Sequence, residues 1–163
     1  MPGADDEHNF DGIQSFGGTF DGKGKTISGI RIYQSSSYQG LFQEINGGTV
    51  KNVVLNNARV RSSSKVGGIT GYIYNGTIQD CLVLNSVITE TDNNYYKGVI
   101  AGYKANSNAS NNLYRNCSVN EKTYNVGAYN NDNSGACQAF TITLPAGVSA
   151  ASGKSLTYAG HWR

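Results

Sequence analysis

Several ordinary ingredients of a globular enzyme are scarce in this chain. Only 15% of its residues are charged, against roughly a quarter in typical soluble domains. There is one methionine and there are two prolines. No segment repeats apolar residues at helical spacing, which excludes an α-helical fold. No apolar run approaches the ~20 residues of a membrane-spanning helix, so no direct membrane insertion is expected. Charge of one sign is also missing. Thirteen basic residues face eleven acidic ones for a net +2, and the basic ones are scattered, so no broad field draws nucleic acid or an anionic membrane. Three cysteines, an odd number, argue against a disulfide framework. Met1 leads straight into "PGADDEHN", so no signal peptide is expected within these residues. The Asn-, Ser- and Tyr-rich, Lys-poor composition nonetheless points to an extracellular or cell-surface protein. The expectation is a mature chain or a fragment to which Met1 was added.

What is abundant is glycine (21), asparagine (19) and tyrosine (11). These residues disfavour helices and suit short strands joined by tight turns. They are arranged in repeats. "TISGIRI" (Thr26–Ile32), "TVKNVVL" (Thr49–Leu55), "TIQDCLV" (Thr77–Val83) and "LYRNCSV" (Leu113–Val119) align on Gly29, Asn52, Asp80 and Asn116, in steps of 23, 28 and 36 residues. Apolar residues then fall into columns: Ile27, Val50, Ile78 and Tyr114; Ile30, Val53, Cys81 and Cys117; Ile32, Leu55, Val83 and Val119; and Val60 with Ile88. Polar residues alternate with them, as on a half-buried strand whose phase slips at a corner. A second set precedes each unit. Gly67 and Gly71 match Gly98 and Gly102, Tyr72 matches Tyr103, and Gly40-Leu41-Phe42 matches Gly68-Ile69-Thr70. A unit of about 30 residues cannot bury its apolar face alone but can when stacked on copies. The pattern predicts an all-β fold, a right-handed parallel β-helix (β-solenoid) of about four to five turns over residues 1–143. Residues 144–163 are expected to form a tail, a cap or the start of a following segment. A β-sandwich also has short strands and Gly-rich turns, but it does not explain columns that survive superposition. Loops are expected at one variable corner, over Thr89–Tyr96 and Asn106–Asn112. A cut solenoid exposes open ends, so capping by the termini or end-to-end self-association is expected.

"FGGTFDGKGKTISGI" (Phe16–Ile30), "GLFQEINGGTVKNVVL" (Gly40–Leu55) and "VGGITGYIYNGTIQDC" (Val66–Cys81) resemble the GLUG-motif proteins, over about Phe16 to Val119. That family occurs in bacterial surface and secreted proteins, often adhesin-like, and as accessory repeats of some immunoglobulin A-cleaving metallopeptidases. Gln43 stands where the first motif would have glycine, and Val99-Ile100-Ala101-Gly102 loses the first glycine of its tetrad, so an irregular last turn is expected. The resemblance implies a surface-exposed β-helical module. It does not imply peptidase activity, since HExxH is absent.

The residues offer little chemistry. No two of the eleven acidic residues share a column, as carbohydrate-cleaving β-helices would need. Asp21 sits in an Asp-Gly turn, and Asp80 replaces a corner asparagine. Asp92 and Glu90 could hold calcium, but a solvated loop is the simpler reading. His8 and His161 lie near opposite termini without a Ser or Cys partner. Cys81 and Cys117, taken to be stacked in one column, are either a core disulfide or two buried thiols, and the odd count favours thiols. Thr26, Thr49 and Thr77 form one threonine column, too narrow for an ice-binding face. No catalytic residue, cofactor or metal is therefore expected. Binding is assigned to the variable corner, to Tyr95, Tyr96, Asp92, Asn106 and Asn108, with a glycan or a protein as partner. Tyr72 and Tyr103 are read as covering a glycine corner. The functional expectation is a non-enzymatic surface module serving adhesion or spacing. The alternative is a carbohydrate-binding or carbohydrate-cleaving β-helix of polysaccharide-lyase type.

Overall fold

The computed structural model describes residues 8–92, 96–110, 112–120 and 122–128. Tyr95, Cys137, His161 and the segment 144–163 lie outside them. Every regular element among the described residues is a strand. The first turn holds β1 (Thr19–Asp21), β2 (Thr26–Ser28) and β3 (Arg31–Tyr33). The second holds β4 (Phe42–Asn46), β5 (Thr49–Lys51), β6 (Val54–Asn56) and β7 (Arg59–Ser62). The third holds β8 (Val66–Gly67), β9 (Thr70–Tyr74), β10 (Thr77–Gln79), β11 (Leu82–Leu84) and β12 (Val87–Glu90). Last come β13 (Lys97–Gly98), β14 (Ala101–Ala105), β15 (Asn108–Ser110), β16 (Leu113–Val119) and β17 (Lys122–Ala128).

Each strand pairs in parallel with its counterpart one turn on. β1, β5, β10 and β15 form one wall, β2, β6, β11 and β16 a second, β3, β7, β12 and the end of β16 a third, and β4, β9 and β14 a fourth. This is a β-solenoid of about three turns, fewer than the four to five expected. The shortfall has a physical cause: the strand after β16 reverses, and β17 pairs antiparallel with β16 instead of starting another turn.

Inward columns form a dry core. Ile27, Leu55, Val83 and Tyr114 stack, as do Phe20, Val50 and Ile78, and Ile32, Val60, Ile88 and Val119. Leu55, Val83, Val50, Ile78 and Ile88 have no exposed surface, and each such side chain contributes about 1.5–3 kcal/mol.

The sequence alignment placed these residues correctly inside but erred in register. Asn52 and Asp80 do share a corner, whereas Gly29 and Asn116 belong to the next one, with Asn57 and Asn85. Both corners use a left-handed residue followed by an inward one: Asn52 (φ 55°) and Asp80 (φ 56°) at the first, Asn57 (φ 54°), Asn85 (φ 52°) and Asn116 (φ 53°) at the second. "KNVVL" and "NNARV" therefore look alike. Three corrections follow. Cys81 stacks with Val53, and Cys117 with Ala58 and Ser86, so the cysteines do not share a column; both are buried free thiols. The threonine column is Thr19, Thr49 and Thr77, continued by Asn108, while Thr26 pairs with Val54. The true steps of the Ile27 column are 28, 28 and 31 residues. The three extra residues fall between Glu90 and Lys97, because Ser62 pairs with Glu90 and Val66 with Lys97.

Asparagine supplies most of the bends. Seven of the twelve non-glycine residues with positive φ among the described residues are asparagines, the type best suited to that region after glycine. Asn9, Asn112 and Asn120, the last of them also one of the seven, show a second use, in which the carboxamide replaces a missing peptide group. Asn9 accepts from the Arg31 N–H (2.7 Å) and donates to Gly29 O (3.1 Å) at the first turn. Asn112 accepts from the Cys81 N–H (3.1 Å) and donates to Ile78 O (3.0 Å), and Asn120 does the same for Glu90 (2.7 and 3.0 Å) at the last turn. With β17, these bonds cover part of both ends.

Candidate functional site: an outward tyrosine wall

The wall of β4, β9 and β14 buries Ile45 and Ile73 and turns the residues between them outward. Tyr72 and Tyr103 are stacked on neighbouring turns, with Glu44 one turn below Tyr72, and Tyr74 sits two residues along. The backbone beneath is held close by glycine. A Cβ at Gly71 would lie 2.3 Å from Lys65 O and 2.5 Å from Gln39 N, and one at Gly102 would lie 2.5 Å from Val66 N. These glycines allow the wall to press against the adjoining corner. That corner carries Tyr38, Lys65 and Tyr96, aligned by the Gln39–Val66–Lys97 register.

The rings form one connected surface. Tyr72 lies 5.4 Å from Tyr38 and 5.5 Å from Tyr103, tilted by 38° and 36°. Tyr74 stacks on Tyr72 at 6.5 Å, and Tyr96 meets Tyr103 edge-on at 4.8 Å and 88°. The Lys65 ammonium sits 5.0 Å from the Tyr38 and Tyr96 ring centres and 5.9 Å from that of Tyr103, within cation–π range. Tyr74 is 42% exposed, while Tyr38, Tyr72, Tyr96 and Tyr103 are half-buried. Desolvation against its neighbours, then the nearby Tyr38, Tyr103 and Glu44, push the Tyr72 hydroxyl above the ordinary phenol range. It stays protonated at neutral pH. The wall thus offers ring faces, a phenolic donor and the Glu44 carboxylate as acceptor, a combination able to stack on a ring and hydrogen-bond its substituents.

The residues assigned from sequence are not brought together. Tyr96 belongs to this wall. Asp92 is exposed on the three-residue insertion, where its N–H donates to Glu90 Oε1 (2.9 Å). Glu90 is buried and ion-paired with Lys97 (3.4 Å), so it is not a loop ligand. Asn106 and Asn108 lie at a different corner and not in a bulging loop: Asn106 is a left-handed bend (φ 47°) bonded to Asn75, and Asn108 opens β15. Asp21 is a turn residue as read, its Oδ1 accepting from the Lys23 N–H and the Asn52 amide, both at 2.9 Å. Among the described residues no three His, Cys, Asp or Glu gather to hold a metal. The sequence reading missed Tyr38, Tyr74, Glu44 and Lys65. The alternation Tyr72-Ile73-Tyr74 was the available signal for Tyr74.

No family model matches the chain, and no solved structure matches it. The chain is similar to part of a far longer protein. Over 99 residues, 60% of its length, it is 36% identical to Halomucin of Haloquadratum walsbyi (strain DSM 16790 / HBSQ001). The match spans 1% of that protein's length.

Proposed function

We propose that this chain is a non-enzymatic β-helical module of a secreted or surface-anchored protein, of the GLUG-like kind, serving adhesion or spacing, with its tyrosine wall as the contact surface for glycans. The observation that carries this reading is the wall itself: aromatic side chains stacked outward over successive turns of a coil whose inward columns are packing. Likeness to a stretch of Halomucin supports an extracellular setting and a role as one module among many. The test is a glycan array read twice, for retention and for the mass of the recovered glycans. Glycans retained intact, with retention lost in Tyr72→Ala and Tyr74→Ala, support adhesion. No retention by the wild-type chain leaves spacing as its role. Shortened glycans would make it an enzyme and overturn the proposal.

A further inference from the structure

The tripeptide Asn-X-Ser/Thr, on which N-linked glycans are built, occurs three times: Asn75-Gly76-Thr77, Asn108-Ala109-Ser110 and Asn116-Cys117-Ser118. The three are equivalent in sequence and unlike in the fold. Asn75 is exposed at the left-handed bend (φ 50°) between β9 and β10. Its Oδ1 accepts from the Asn106 amide, while its own amide nitrogen donates to nothing among the described residues. Thr77, two residues on, is half-buried in the outward row of Thr19 and Thr49. Asn108 is exposed and stands opposite Thr77 on the next turn. It opens β15, the last strand of its wall, which is paired along one edge only among the described residues. Asn116 is also open to solvent, but its amide nitrogen donates to Asn85 Oδ1 (2.9 Å), and that of Asn85 to Asn56 Oδ1 (2.9 Å). Cys117 is buried, and Ser118 is held between Val87 of β12 and Thr123 of β17.

We propose that Asn75 and Asn108 of the folded chain are acceptor sites for N-linked glycans and that Asn116 is not. The donor is an oligosaccharide carried on a lipid phosphate. The asparagine amide nitrogen attacks the anomeric carbon of its first sugar. An N–C bond forms, the C–O bond to phosphate breaks, the phosphate leaves with the lipid, and the amide proton passes to a base of the transferase. The transferase must reach both the amide nitrogen and the hydroxyl two residues on. At Asn75 a free amide nitrogen stands at a surface bend, the usual setting of such acceptors, and the bond from Asn106 to Oδ1 survives the transfer. At Asn108 an edge strand gives the same access. Asn116 gives it only when β16 parts from β12 and β17, a local opening that keeps the populated acceptor scarce. These glycans are carried by the chain, so the proposal does not depend on the tyrosine wall binding anything.

The experiment incubates the folded full chain with oligosaccharyltransferase membranes and a lipid-linked oligosaccharide, then reads glycan occupancy by mass spectrometry. Trypsin cuts after Lys65, Lys97, Lys104, Arg115 and Lys122, so the three asparagines fall on separate peptides, 66–97, 105–115 and 116–122. The same three peptides, made synthetically, are the unfolded reference for each site. Asn75 and Asn108 are expected to be modified in the chain nearly as well as in their peptides. Asn116 is expected to be modified about tenfold or more less in the chain than in its peptide. Thr77→Val and Ser110→Ala each remove the glycan from their own asparagine alone, and Thr77→Ser, which keeps the hydroxyl, retains it. Each site is also read in the variant lacking the other, so that one glycan does not shield its neighbour. Absence of glycan from Asn75 or Asn108 in the folded chain, modification of Asn116 as full as in its peptide, or a glycan on Asn75 that persists in Thr77→Val would overturn the proposal.

Discussion

Replacing Gly71 with alanine tests the packing on which the tyrosine wall depends. The new Cβ would stand 2.3 Å from Lys65 O, 2.5 Å from Gln39 N and 2.7 Å from Tyr38 C. All three are backbone atoms of an adjacent corner, so no side-chain rotation relieves the overlap. The shortest contact is about 1 Å inside an ordinary carbon–oxygen separation, and overpacking that backbone must absorb costs about 3 kcal/mol. For a domain of this size that corresponds to a fall in Tm of roughly 10 °C. Gly29→Ala is the control. Its Cβ meets nothing within 4 Å, and only the positive φ of 78° is penalised, at about 1 kcal/mol and roughly 3 °C. Thermal and urea unfolding followed by circular dichroism would check both. A Gly71→Ala chain melting within about 2 °C of wild type, or above Gly29→Ala, would refute the close-approach argument.

Three further outcomes follow from the same structure. Gly29→Asn should stabilise by about 0.5 kcal/mol, since Asn57, Asn85 and Asn116 already occupy this corner and asparagine restricts the unfolded chain; a loss above about 1 kcal/mol in urea unfolding contradicts this. Asn112→Ala strands the buried Cys81 N–H and Ile78 O, so a loss of about 2–4 kcal/mol is expected, and an unchanged unfolding midpoint would be inconsistent with Asn112 acting as a surrogate peptide group. The Asn52 amide and then the Lys23 N–H hold the Asp21 carboxyl below its usual range. Its small stabilising effect is thus present above the unfolded value of ~3.9 and lost as pH falls through the lower folded value. An NMR titration should show this, with Asn52→Gly moving the midpoint up, and a midpoint unmoved by that change argues against the Asn52 bond.

The fold class was legible because inward and outward alternation has a period of two and survives misalignment by a whole strand. Leu55, Val83 and Val60 read as core whichever corner they were assigned to. Register was not legible, because two left-handed corners five residues apart carry the same Asn-then-inward signature. Asn52-Val53 and Asn57-Ala58 are interchangeable to a pattern match, and only pairing between turns separates them. The Tyr72–Tyr103 stack was readable from the matching glycines 31 residues apart. Its neighbours Tyr38 and Lys65 were not, since they join the wall through a corner in which the number of residues differs from turn to turn. The Arg31–Arg59 pairing was hidden by the same shift, because the two align only in the true register.

The outward tyrosine wall and the inward columns therefore rest on register, and cysteine cross-linking measures it directly. Ser86 precedes the Val87–Ser118 pair by one residue and stacks beneath Cys117, within the Cα separation a disulfide requires. In a Cys81→Ala, Cys137→Ser background, Ser86→Cys should form a disulfide with Cys117 under mild oxidation. In the otherwise native chain Cys81, whose thiol burial pushes up to about 12, should form none with Cys117. A native Cys81–Cys117 disulfide, with no bridge from Ser86→Cys, would contradict the register and with it the stacking of the solenoid's turns.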